Sequence, residues 1–290
     1  MTLAYLAWIT VCVVWGTIYL AIRVALETVP VLLLAGFRWF VAGVLLSSIL
    51  LATGRRLPGP RMWGSLIFLA FLMNVLGNGL VVWAEKSVAS GLTAVVIATT
   101  PFWTVLVEAC LPRGDRFSRR AIAGLAIGFI GIVVLVWPEL TMGGSSGRAF
   151  VAGVVALQTA SAAWAVGTSY TRRHKIGNDP FTASATQMMF SGVMLLSLAT
   201  ARGEWSALTF TPRSFAALAY LSIAGSLVAY TAYVYAIKHL PISTVSLYAY
   251  INPIIAVVLG TALLGEPFSP RIVIAAVLVL AGMWVVGRHG

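Results

Sequence analysis

Long apolar runs, parted by short polar or proline-bearing breaks, cover most of the chain. Ten runs stand out, at about 4–24, 31–53, 62–84, 89–111, 119–137, 149–171, 181–201, 214–237, 242–265 and 269–287. Each is close to the roughly 20 apolar residues that a helix needs to cross a bilayer. The pattern predicts an all-α membrane protein with ten transmembrane helices. A helix satisfies its own backbone groups in lipid, and these runs are too long for barrel strands. Pro30, Pro112, Pro138, Pro180, Pro212 and Pro241 fall at or between the predicted ends, where a missing N–H matters least. Thr182, Ser184, Thr186 and Gln187 dilute the start of the seventh run and are expected to face the bundle.

Composition narrows the class. Of 290 residues, 60% are hydrophobic and 9% are charged, against about 25% charged in a soluble domain. An ordinary soluble enzyme, a disordered adaptor and a nucleic-acid module are excluded. The net charge of +11 is unevenly placed. Connections after runs two, four, six and eight, with the C-terminal tail, hold twelve Lys and Arg residues; the opposite connections hold six. Basic residues mark the cytoplasmic side, so both termini are predicted to be cytoplasmic. That rule explains the basicity without nucleic acid. Cys12 and Cys110 lie in apolar runs and read as buried small hydrophobes.

The chain also repeats itself at a spacing of about 152 residues. Val82-Trp83-Ala84-Glu85-Lys86 aligns with Val234-Tyr235-Ala236-Ile237-Lys238, and Thr100-Pro101 with Asn252-Pro253. Two units are predicted, 1–138 and 148–290, each with five spans. An odd number of spans makes equivalent motifs enter the membrane from opposite sides. Inverted repeats of this kind suit alternating access around a site between the halves.

Candidate substrate contacts follow from polar and aromatic groups placed deep in the runs. Asn74 and Asn78 are four residues apart and would share an α-helical face, with Ser226 and Tyr230 as their counterparts and Tyr233 nearby. Tyr248 and Asn252 form a second such pair. Trp15 and Tyr19, Thr100 and Trp103, and Trp164 and Thr168 complete the candidate lining. Buried amides and indoles want partners or an aqueous chamber, so interhelical bonding is the structural alternative for each. Pro101 and Pro253, each near the middle of its run, are candidate hinges or cavity shapers. Arg38 is the one cation well inside a run and is expected to snorkel outward or to pair with Glu85, in a structural or gating role. Glu108 is expected to pair with the adjacent Arg-rich connection, and Glu266 to act as an interfacial or capping group. Trp63, Trp137 and Trp205 read as an interfacial belt.

Absent groups also count. No Asp or Glu sits at mid-membrane, so proton coupling is not demanded. No phosphate-binding glycine loop, metal-ligand cluster or nucleophile–base set is visible, so no enzyme activity, metal or cofactor is expected.

Trp15-Gly16-Thr17, Ala35-Gly36-Phe37-Arg38, Gly77-Asn78-Gly79, Ala84-Glu85, Ala98-Thr99-Thr100-Pro101, Tyr248-Ala249-Tyr250-Ile251-Asn252-Pro253 and Gly265-Glu266 make the chain resemble the EamA-type drug/metabolite transporters along its whole length. The first half has Pro112-Arg113-Gly114-Asp115 where the second has Leu264-Gly265-Glu266-Pro267, so the Gly-Glu signature is degenerate there. The resemblance implies a multi-pass carrier of the cell inner membrane, with its cavity formed mainly by spans 1, 3, 4, 6, 8 and 9. It also implies a small-molecule substrate, most simply a neutral or aromatic amino acid moved outward. Efflux of lipophilic cations is the alternative, and a membrane scaffold without flux the rival from another class. The bilayer is the expected partner and a monomer the expected unit.

Overall fold

A computed structural model of the protein describes residues 2–112, 119–142, 144–174, 179–240, 244–245 and 247–287. Hydrophobic runs became helices throughout. α1 spans Thr2–Ala25, α2 Val31–Ala52, α3 Pro60–Ala84 and α4 Ser90–Cys110. α5 follows at Arg119–Met142, α6 at Gly144–Arg173 and α7 at Pro180–Ala201. α8 starts with Pro212–Tyr220 and ends with Ala229–His239; α9 is Tyr248–Leu264 and α10 Pro270–Gly287. Seven of them, α1–α4 and α6–α8, are long and apolar enough to cross a bilayer, and α5, α9 and α10 hold shorter apolar stretches. The chain is an all-α, multi-pass membrane protein.

Local chemistry explains the boundaries. Pro180 and Pro212 open α7 and α8, where a missing N–H breaks no helical bond. Asp179 accepts from Phe181 N at 3.1 Å, and Thr211 and Ser214 form a reciprocal capping box. Three expectations change. Pro138 lies inside α5, which runs on to Met142. Span four is two helices, Ser90–Ile97 and Thr100–Cys110, with Pro101 in the first turn of the second piece. The proline therefore begins a helix after a break rather than bending a continuous one. Pro253 does lie within α9, and is buried. Cys110 is exposed while Cys12 is buried, because Cys110 ends α4 where packing stops. Pro241 lies outside the described residues.

Two stretches depart from α-helical winding. Ala70–Asn78 in α3 and Leu221–Val228 in α8 are π-helical. Wider turns bond i to i+5 and commonly mark functional regions. Their starts are about one repeat spacing apart.

Packing is dominated by two pairs, α2 with α7 and α5 with α10. Both run antiparallel. Gly36 faces Leu196, Gly43 faces Met189, and Gly192 faces Phe40, so numbering rises along α2 as it falls along α7. Gly124 and Gly128 meet Gly282, and Gly131 meets Ala275, in the same sense along α5 and α10. A Cβ on Gly43 would stand 2.6 Å from the Met189 backbone nitrogen. Small residues bring the helix backbones together here, as membrane packing favours.

Candidate functional site

Three of the sequence-predicted aromatics converge. The Trp15 ring of α1 lies 5.1 Å from that of Tyr233 on α8 and 5.0 Å from that of Tyr248 on α9; the two tyrosines are 5.8 Å apart. Edge and tilted contacts of this kind are favoured by the ring quadrupole. The Trp15 indole donates to the Gly225 carbonyl at 3.3 Å, and Tyr19 is buried one turn further along α1. Gly16 permits the approach: a Cβ there would lie 2.8 Å from that of Ile255 on α9. The side-chain amide of buried Asn252 faces the carbonyls of Tyr248 at 3.0 Å and Cys12 at 3.1 Å, two acceptors that only its nitrogen can serve. It ties α9 to α1. The Tyr230 hydroxyl meets that of Ser184 on α7.

A second group surrounds the break in α4. The Trp103 indole donates to Gln158 Oε1 of α6 at 2.7 Å, and Gln158 Nε2 donates to the Thr99 hydroxyl at 3.1 Å. Thr100 donates to Ser161 at 3.1 Å. Gln158 and Ser161 escaped the sequence reading, although a lone amide in an apolar run is the signal applied to the asparagines. Gln158→Ala strands the Trp103 indole N–H, while the Thr99 hydroxyl keeps its bond to the Val96 carbonyl at 2.7 Å. A loss of about 2 kcal/mol is expected, read as a lower midpoint of thermal unfolding in detergent. Trp164 lies over Gly77 and is partly exposed; Thr168 donates to the Trp164 carbonyl in its own helix at 2.9 Å.

Asn74 and Asn78, expected to share a face, take separate partners. Asn74 is buried, donates to Ser191 of α7 at 3.0 Å and accepts from Gln187 at 3.1 Å. Asn78 donates to the Met73 carbonyl in its own helix. Ser226 is occupied by Arg38, whose Nε donates to its hydroxyl at 2.9 Å. The contacts α2–α8 and α3–α7 are therefore matched: Arg38–Ser226 in one, Ser191–Asn74 in the other.

Arg38 neither snorkels nor pairs with Glu85 within 4 Å. It is 3% exposed, lies 4.9 Å over the Trp39 ring, and its Nη1 has no hydrogen-bond partner among the described residues. The Ser226 bond and the ring hold it inward. Glu85 is fully buried, and among the described residues neither carboxylate oxygen has a hydrogen-bond partner. Glu108 reaches Arg173 of α6 at 2.7 Å and Arg172 at 3.7 Å, partners remote in sequence; most of the adjacent Arg-rich connection, residues 113–118, lies outside the described residues.

The end of the bundle holding Glu85 is stitched by two further carboxylates. Glu266 accepts from Ser90 N at 2.7 Å and Gly91 N at 3.1 Å, capping α4 as anticipated. Glu204 accepts from Leu32 N at 2.9 Å and Leu33 N at 3.0 Å, capping α2. A helix N-terminus offers free N–H groups and a positive dipole end to such anions. Each carboxylate comes from the second half of the chain and each helix from the first. Glu266→Ala is expected to cost about 1–2 kcal/mol and to increase hydrogen exchange at Ser90 and Gly91 first.

An all-helical membrane bundle with an aromatic cluster between its helices has the make-up of a carrier. The family comparison agrees: the EamA-like transporter family matches residues 2–137 and 151–288, and the chain belongs to that family. It is a multi-pass membrane protein of a transporter family. An uncharacterized inner membrane transporter of Escherichia coli, YedA, is 35% identical over 284 residues, covering 94% of this chain and 89% of its own. The chloroplastic WAT1-related protein At3g02690 of Arabidopsis thaliana is 27% identical, over 94% of this chain and 66% of its length. One solved crystal structure shares the fold, with a TM-score of 0.67 at 21% identity over 98% of this chain and 96% of that one.

Proposed function

We propose that the chain is a secondary carrier exporting neutral or aromatic amino acids by alternating access between two inverted five-helix halves, 1–138 and 148–290. The Trp15–Tyr233–Tyr248 cluster carries this reading, because three helices contribute one aromatic surface at their common junction. Such a surface suits an apolar side chain, and the adjacent hydroxyls and amides suit a polar head. The inverted arrangement is supported by the antiparallel α2–α7 and α5–α10 pairs, each joining a helix to its counterpart five places on. The matched π-helical stretches and the matched Arg38–Ser226 and Ser191–Asn74 contacts support it too. On this reading the glutamate-capped end faces outward and both termini face the cytoplasm.

The test is counterflow in proteoliposomes loaded with amino acids, nucleosides, sugars or organic cations. Exchange of labelled L-phenylalanine or L-methionine is the expected result. Exchange confined to organic cations would make the aromatic cluster a cation site, and flux of none of them would leave a scaffold.

A further inference from the structure

The candidate site leaves one group without a role. Glu85 follows α3 in a short connection, is fully buried, and has neither carboxylate oxygen hydrogen-bonded among the described residues. An ionised carboxylate shut away from water without hydrogen bonds is strongly disfavoured, and taking a proton relieves it. The groups acting on it come from several elements. α1 contributes Tyr19 and Arg23, whose guanidinium donates to the Glu85 backbone carbonyl; α2 contributes Arg38; Glu266 follows α9. α6, packed against the same end, presents the Ala149 carbonyl to Ser87 and Gly153 to Val88. Solvent is close. A cleft of about 360 Å³ is lined by Arg23, Ala89 and Glu266, and another of about 270 Å³ by Lys86, the next residue.

We propose that Glu85 is a proton-binding site whose occupancy is tied to closure of the glutamate-capped end. In the closed form the carboxyl holds its proton; when α4 and the Glu266 cap part, water enters, the O–H bond breaks and the proton passes to water. Burial pushes the closed-form carboxyl well above the ordinary carboxylate range, the Glu266 charge adds to this, and Arg23 and Arg38 oppose it. A raised affinity in the closed form favours closure at low pH and loses that advantage as pH rises. Opening is therefore promoted by rising pH, by at most about tenfold per unit for one proton. This rests on the carrier reading only for its physiological use; the linkage itself needs no substrate.

The experiment uses Val88→Cys, a fully buried position beside the connection, in full-length protein with Cys12 and Cys110 replaced by alanine, in liposomes. The labelling rate with a maleimide, corrected for thiolate fraction, is followed from pH 5 to pH 8, a window of about three units. A rise with pH that Glu85→Gln flattens and Glu85→Asp retains is the expected result. An equal slope in Glu85→Gln, or none in the parent, overturns the proposal. Should Glu85→Gln not fold, the infrared carbonyl stretch of a protonated glutamic acid in the closed parent decides: its presence at neutral pH, shifted in Glu85→Asp, supports the site and its absence overturns it. Failure of L-phenylalanine counterflow alongside an intact slope would instead remove the amino-acid reading.

Discussion

Tyr248→Ala is expected to lower counterflow of L-phenylalanine by about tenfold or more while leaving the folded yield near that of the parent. Tyr248 touches both Trp15 and Tyr233, so its ring forms much of the surface against which a flat or branched side chain would stack. Losing one well-placed aromatic contact removes about 1–2 kcal/mol of binding. Asn252 bonds the Tyr248 backbone carbonyl and not the ring, so the α1–α9 tie survives the truncation. Tyr248→Phe keeps the ring and should keep most of the transport. Trp164→Ala provides a comparison outside the cluster, on a ring that lies over Gly77. Equal initial rates for Tyr248→Ala and parent would take the cluster out of the substrate path.

Gly192→Leu is expected to prevent assembly of the bundle. A Cβ on Gly192 would stand 2.6 Å from Phe40 Cα and backbone nitrogen, and backbone cannot swing aside as a flexible side chain can. Overpacking of a tight core typically costs about 1–3 kcal/mol, and prising α7 from the whole length of α2 belongs at or above the upper figure. Size-exclusion profiles of detergent-solubilised protein should lose the monodisperse peak. Gly59→Ala is the control, since nothing lies within 4 Å of a Cβ there. A normal peak for Gly192→Leu would mean that the two helices can separate freely.

Helices were legible because lipid imposes a single strong rule, that a spanning segment be apolar and satisfy its own backbone. Proline and capping residues then located most ends, as at Pro180 and Pro212. What could not be read was winding and partnership. The Asn74–Asn78 spacing suits α- and π-helical winding alike, so it could not show which of the two the chain adopts. Arg38 and Ser226 are 188 positions apart, and Asn74 and Ser191 are 117 apart; no local pattern links such pairs. Glu204 went unremarked because it stands in a short connection, where its value depends on α2 starting just beneath it. The aromatic cluster was half legible: Trp15, Tyr233 and Tyr248 were each singled out, but nothing local showed that they would meet while Trp103 bonded elsewhere.

The interdigitated glycines of α2 with α7 and of α5 with α10 bear on the kind of movement open to such a bundle. Neither seam can slide lengthwise, because each glycine notch is filled by the opposite backbone or by a bulky neighbour, so a shift of even one residue would drive side chains into main chain. Rolling about the seams avoids that lengthwise shift. Conformational exchange should thus be a tilt about two fixed axles rather than a piston stroke, with the greatest excursions at the helix tips and almost none where the axles run.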